Sequence, residues 1–289
     1  MNTVWSQYVQ GAGMLYSSRT LRFSDFFREK YTTAFNIEDG ECILEIGCGP
    51  GALCQALKRW YPHSDITGVD LDSAFIEFAA RRAPDITFLN GDATALPFED
   101  GSFGVVISNT VSEHVEPSAF FGEQYRVLKP GGVCLVLSAR RGISVRAGCI
   151  EECSEEEERL WQGCDALHAG RRRRYNVGAY SMNEAELPRA LEGCGFRSVS
   201  TDYIAVNLTP DDPRYPRETA LAMIEAGRIN DLEAIALMSC CEGGLTAVEA
   251  ETLKAITNKK YDRRVQLYDS GERQWDAEIS LTMVVRGVK

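Results

Sequence analysis

The sequence predicts an α/β fold: a doubly wound, mostly parallel seven-stranded sheet that carries a helical lid and helical insertions. Three observations lead there. From about residue 41, short apolar runs alternate with amphipathic stretches, the pattern of strand–helix–strand units. The first run leads into ILEIGCGPG, where strand-type residues give way to glycines at positions 47, 49 and 51. Further on, the LKPGG stretch at 128–132 halts a helix with Pro and Gly before a new strand begins.

Taken in order, the apolar runs at 42–46, 65–70, 86–89, 103–108 and 132–138 read as strands, with helices at 51–61, 73–82 and 117–128 between them. A further helix at 183–193 ends at a Gly-Cys-Gly stop and leads into a sixth strand at 196–206, and the apolar run at 279–285 supplies a seventh. Two segments break this rhythm. Residues 140–181 hold an acidic run, several cysteines and four consecutive arginines, and residues 208–277 hold helical patterns at 220–229 and 245–256. Both are expected over the same edge of the sheet. The division that follows is an N-terminal helical lid at 1–35, rich in Tyr, Phe and Trp, and a core at 36–207 containing the 140–181 insertion. A helical insertion at 208–277, read as a substrate cap, and a last core strand at 278–289 complete it.

Composition narrows the function classes. The formal charge of -11 opposes a phosphate-rich nucleic-acid partner, since that affinity comes from clustered Lys and Arg. No stretch reaches the length of apolar sequence that a membrane-spanning helix needs, and the N-terminus lacks the pattern of a secretory signal. The expectation is a cytoplasmic protein with a small-molecule partner and no membrane or nucleic-acid partner; oligomeric state is left open. The ten cysteines, scattered through a large acidic chain, read as reduced, with Cys42, Cys54, Cys134 and Cys194 filling core space.

The glycine turn has its own chemistry. Glycines let the chain turn tightly from strand to helix, leave room for a ligand and aim helix N-terminal amides at it. A dinucleotide fingerprint is spaced G-x-G-x-x-G, whereas this turn reads Glu-x-Gly-x-Gly-x-Gly, a spacing that disfavours NAD.

The turn from Glu45 to Gly51, Gly68-Val69-Asp70, Gly91-Asp92-Ala93, the strand leading to Asn109 and Leu128-Lys129-Pro130-Gly131-Gly132 follow one another in an order that resembles the motif series of class I S-adenosylmethionine-dependent methyltransferases. Within that superfamily the chain is most similar to the small-molecule, type 11-like branch, over about residues 35–207 and the last strand. The resemblance implies a Rossmann-like sheet, S-adenosylmethionine as cofactor with S-adenosylhomocysteine as its product, and transfer of a methyl group to a small-molecule acceptor by direct displacement. It implies that Gly47, Cys48, Gly49 and Gly51 approach the methionine moiety, which Glu45 helps to orient. Asp70 takes the ribose hydroxyls, Leu71 lies on the adenine, Asp92 and Ala93 hold the adenine edge, and Asn109 is delivered to the crevice by the fourth strand. Asp72 or Ser73, rather than Asp70, is the expected helix N-cap.

His114, in SEHVEP after the fourth strand, is the candidate base, with Asn109 beside it; the alternative for His114 is a backbone hydrogen bond. Arg173, Arg174, Tyr175 and Tyr180 are candidates to hold an acidic group on the substrate, against the plain reading of a solvated charge run. Tyr16, with Tyr8 and Arg19, is a candidate to close over the site. Cys149, Cys153, Cys164 and His168 have i, i+4 spacing suited to a thiophilic metal but lack a glycine-rich knuckle, so no metal is expected. The competing functions are a non-catalytic protein that binds the same cofactor, and an enzyme of this fold with a different transfer reaction.

Overall fold

The computed structural model describes residues 4–175, 177–240 and 243–289, and their side chains apart from those of 4, 164–169 and 171–173. The chain opens with helices α1 (Val4–Tyr8), α2 (Ala12–Arg22) and α3 (Arg28–Phe35). Strand and helix then alternate: β1 (Cys42–Ile46), α4 (Ala52–Trp60), β2 (Asp65–Asp70), α5 (Ser73–Arg82), β3 (Thr87–Asn90), β4 (Phe103–Asn109), α6 (Pro117–Val127) and β5 (Leu128–Val145). After α7 (Gly148–Glu151), α8 (Glu155–Arg174) and α9 (Glu186–Gly193) come β6 (Arg197–Leu208), α10 (Arg217–Ser239), α11 (Ala247–Asp269) and β7 (Ala277–Val288).

The sheet order is β3-β2-β1-β4-β5-β7-β6, with β7 antiparallel to both neighbours and the other pairs parallel. The expected doubly wound α/β sheet is therefore present. The strand order reverses between β1 and β4, and in open parallel sheets ligands bind in the crevice at the carboxyl ends beside such a reversal. Alternation along the strands sorts side chains by face. Ile43 and Ile107 pack under α3 and α4 with Phe35, Leu53 and Leu57, whereas Leu44, Ile46 and Val106 pack with Phe120, Phe121 and Leu191 of α6 and α9. Cys54 and Cys134 are buried, and the partly buried Cys42 and Cys194 pack against the second cluster.

Two features extend past the expected bounds. Strand β5 continues through Arg140, Arg141 and Gly142 to Val145, because β7 pairs with it back to Ala277 across a bulge near Arg140. Helices α10 and α11 run 23 residues each, far beyond 220–229 and 245–256, and bury Ala220, Ile224, Ile235, Leu253 and Leu267. The two irregular segments pack on each other: Ala147 and Ile150 with Ile224 and Tyr261, and Leu160 with Ile235, Ala250 and Leu253. The acidic and basic runs become opposite ends of α8, with Glu155 to Glu158 in its first turn and Arg174 at its end, which matches the helix dipole.

A buried charge cluster fastens this cap to the sheet. Arg264 of α11 is fully buried and its Nη2 lies 3.0 Å from Asp211 Oδ2 and 2.6 Å from Asp276 Oδ1. Asp211 Oδ2 also accepts the backbone N–H groups of Gln274 and Trp275 at 2.7 and 2.8 Å. Removing one member of such a cluster leaves uncompensated buried charge, which costs about 3–5 kcal/mol. Arg264→Leu is expected to lower stability by about that much in urea unfolding, whereas the exposed pair partner Arg217, changed to Leu, is expected to cost under about 1 kcal/mol.

Candidate functional site

The site is assembled at the carboxyl ends of β1, β2 and β4. Past Ile46 the backbone enters the left-handed region at Gly47, Gly49 and Gly51, with φ of 67°, 53° and 83°. The Gly47 and Cys48 N–H groups both donate to Val69 O, at 2.8 and 3.0 Å, so the turn is tied to the end of β2. Gly49 N–H donates to Asp70 Oδ2 at 2.8 Å, and Asp72 N–H donates to Asp70 Oδ1 at 2.8 Å. Asp72 itself is the N-cap of α5, accepting from Ala74 N–H, as the sequence suggested.

Each glycine is required by a different neighbour. A Cβ on Gly47 would lie 2.3 Å from Val111 Cγ2, one on Gly51 would lie 2.9 Å from Ala79 Cβ, and one on Gly49 would meet Leu15 Cδ2 at 3.3 Å. The room expected for a ligand at Gly51 is thus taken by the packing of α5 and Phe88, and α2 of the lid lies across Gly49.

Two carboxylates stand beside the turn on the face covered by α4. Glu45 is buried, its Oε2 has no hydrogen-bond partner among the described residues, and burial pushes its pKa up to about 8, with Asp70 adding to the rise. Burial likewise raises Asp70 to about 6. Asn109 follows Ile107 on this face, half-buried at the end of β4. Ser108, one residue before, faces the other way and is fully buried with its Oγ unpartnered among the described residues, because strand alternation sends it toward α6. The next residue, Thr110, holds a left-handed φ of 56°. Its Oγ1 accepts from Arg19 Nη2 at 2.9 Å and donates to Asn109 O at 2.7 Å.

The remaining candidates fall at the rim. Leu71 is 48% exposed at the β2 end, and Asp92 is exposed, with Oδ1 accepting from Thr94 N–H and Oγ1 at 2.8 and 2.7 Å. Ala93 packs against the core, and Cys48 turns inward to the core under α4, where burial raises its thiol pKa to about 11. His114 Nδ1 accepts the Gly178 N–H at 2.9 Å, and its ring lies 4.6 Å from that of Trp5, so its Nδ1 lone pair is spent on the backbone of the 175–180 segment. Tyr180 N–H donates to Glu113 O at 2.9 Å, and Tyr175 stacks on Tyr8 at 5.6 Å, which joins that segment to the lid. Arg174 lies over the Tyr175 ring. Tyr16 donates to Gln55 Oε1 at 2.9 Å and packs on Phe78, on the α4 and α5 side. The side chains of Arg173, Cys164 and His168 lie outside the described residues.

Sequence reasoning gave little notice of the cavity next to this crevice. It has a volume of about 600 Å³ and lies among α2, the β5–β7 extension and α10. Met14, Leu21, Ile143, Val145, Met223 and Ile279 supply apolar lining. Neither Asp70 nor the glycines line it; Leu15 and Arg19, which touch the turn and Thr110, form the shared wall. The signal for it was the pair of broken-rhythm segments, which give no register for the β5–β7 extension.

The glycine geometry sets unequal costs. Gly47→Ala combines left-handed strain with a hard clash and is expected to lower stability by about 2–4 kcal/mol in thermal or urea unfolding. Gly49→Ala meets only a flexible Leu15 methyl and is expected to cost about 1–2 kcal/mol.

Residues 44–136 match the family model described as a methyltransferase domain. A phthiotriol/phenolphthiotriol dimycocerosates methyltransferase 1 of Mycobacterium ulcerans is 40% identical over 121 residues, 40% of this chain and 44% of that protein. A fatty-acid O-methyltransferase of Mycolicibacterium smegmatis is 41% identical over 106 residues, 35% of this chain and 38% of that protein. The chain therefore spans less than half the length of these relatives. Among solved structures, phosphoethanolamine N-methyltransferase 2 of Haemonchus contortus, in complex with S-adenosyl-L-methionine, has a TM-score of 0.56 at 16% identity, covering 99% of this chain and 59% of that one, a likeness of fold. No helix among the described residues is long and apolar enough to cross a membrane. Residues 44–136 are thus similar to a methyltransferase domain, and the sheet around them has the fold of a methyltransferase solved with S-adenosyl-L-methionine.

Proposed function

We propose that this protein transfers a methyl group from S-adenosylmethionine to a small-molecule acceptor held in the cavity beneath the α10–α11 cap. The observation that carries this reading is the shared wall: Leu15 and Arg19 touch the glycine turn and Thr110 on one side and line the 600 Å³ cavity on the other. When bound, the cofactor supplies an activated sulfonium methyl, so the protein's task is alignment and exclusion of water.

The residues present fit that cofactor. Glu45 Oε2, buried and unpartnered, is suited to a ligand that brings positive charge or donors, and its neighbours Gly47 and Gly49 present the turn. Asp70 accepts the ribose hydroxyls, and Leu71, Asp92 and Ala93 form the adenine rim. Helix α2 lies across the turn, so it shifts to admit the ligand and returns to cover it. His114 acts by position, tying the 175–180 segment to the end of β4, while Asn109 orients the reacting groups. An acceptor whose nucleophile is already anionic needs no base here. The apolar lining, together with a fatty-acid O-methyltransferase among the relatives, supports an acceptor with a substantial apolar part.

Calorimetric titration with S-adenosylhomocysteine, beside Asp70→Ala, tests the cofactor. Micromolar binding is expected in the wild type, with a loss of about 100-fold in the variant, the effect of two hydrogen bonds to a charged acceptor. No binding by folded wild-type protein overturns the proposal. Incubation with labelled S-adenosylmethionine and a panel of fatty acids and alcohols, read by product mass, then separates methyl transfer from mere binding.

The two raised carboxylates set the pH dependence. Cationic and hydroxyl donors favour ionised Glu45 and Asp70, so ligand binding lowers their pKa values from about 8 and about 6 and releases protons. Affinity is expected to rise with pH from the Asp70 range and to level off above about 8. The ligand-free protein responds in the opposite sense. Its native state binds more protons than the unfolded chain between the ordinary Glu value of 4.5 and about 8, so its stability falls as pH rises through that window. Paired titrations and thermal melts at several pH values check both signs.

A further inference from the structure

We propose that Arg19 is a carboxylate-binding residue placed at the junction of the cofactor crevice and the acceptor cavity; this rests on the methyltransferase reading above. The charges around the cavity are accounted for in pairs. Arg146 is paired with Asp231, Arg22 with Glu278, and Asp276 with the buried Arg264 at 2.6 Å. Arg19 lines the same cavity, yet among the described residues it forms no salt bridge, and the one hydrogen bond of its guanidinium is to the neutral Thr110 hydroxyl at 2.9 Å.

An arginine partly withdrawn from water in this way is costly, because its donors lose hydration and gain one partner. Burial and the neighbouring Arg22 pull its pKa down to about 10, while Glu45 and Glu113 act on it only through space. A guanidinium fork matches a planar carboxylate in two parallel hydrogen bonds, and here the fork stands on a wall that both ligands share. Thr110, in its left-handed conformation, keeps the guanidinium turned to that wall. Two ligands of the proposed reaction bring this chemistry: the methionine end of the cofactor, and an acidic group on the acceptor.

Matched ligand pairs distinguish them. S-adenosylhomocysteine is compared with methylthioadenosine, the same nucleoside thioether without the amino-acid end. Decanoate is compared with decanol, which share a chain that suits the apolar lining. Dissociation constants are measured for wild type and Arg19→Gln. The wild type is expected to prefer the acid in at least one pair, and Arg19→Gln to shrink that preference by roughly 10- to 100-fold. A change in the nucleoside pair assigns Arg19 to the cofactor, and a change in the decanoate pair assigns it to the acceptor.

A lid that merely docks badly weakens both members of a pair equally. Preferences unchanged in the variant, or absent from the wild type in both pairs, therefore overturn the proposal. Methylthioadenosine binding retained in that case leaves the nucleoside crevice standing, whereas loss of every nucleoside in the wild type sinks the methyltransferase reading itself. Should Arg19→Gln fail to fold, Arg19→Lys keeps the charge without the fork and is expected to lose part of the preference.

Discussion

The constraint on which the site depends is the left-handed backbone directly after β1. With Gly47, Gly49 and Gly51 all at positive φ, the chain reverses within a few residues, so α4 returns against the sheet and its first turn meets the strand ends. The Gly47 and Cys48 amides lock the reversal to β2 through Val69 O, and the Gly49 amide turns Asp70 toward the same place. Glu45 and Asp70 then share one face at adjacent strand ends.

The peripheral helices are built onto that core by polar contacts that choose small residues. Glu233 of α10 accepts the Met14 N–H at 2.9 Å at the start of α2. A Cβ on Gly11 or Gly13 would lie 2.0 or 2.6 Å from the Glu233 carboxylate, so glycine at both positions lets lid and cap meet there. The helix dipole of α2 favours a carboxylate at this end. Through Arg264, Asp211 and Asp276 the cap is in turn held to β7. The lid, cap and sheet are thus linked by charges withdrawn from water, where such contacts are stronger and less screened than on the surface.

That distribution also explains how a chain of net charge -11 keeps a cationic group at its centre. Most of the acid in the first turn of α8 is exposed, while Arg264 is buried and paired with Asp211 and Asp276. Global charge bears on association with other charged bodies and says little about the sign of potential inside one pocket.

The sequence by itself determined the order of strands and helices in the core and the position of the glycine turn. The runs at 42–46, 65–70 and 73–82 coincide with β1, β2 and α5, because period and capping are local properties of a few residues. It also narrowed the cap of α5 to Asp72 or Ser73, of which Asp72 is the one in place. The tertiary structure alone decided the rest. The extension of β5 past Arg140 depends on a partner strand more than 130 residues away, which no local period encodes. Arg264 reads as a surface residue until Asp211 and Asp276 surround it. Ser108 and Asn109 look alike in a list of strand-end polar residues, and only the parity of β4 against its helices separates the one under α6 from the one at the crevice. The cavity, and Arg19 on its wall, arise where three chain segments converge, and convergence of distant segments is a property of packing that a linear pattern does not carry.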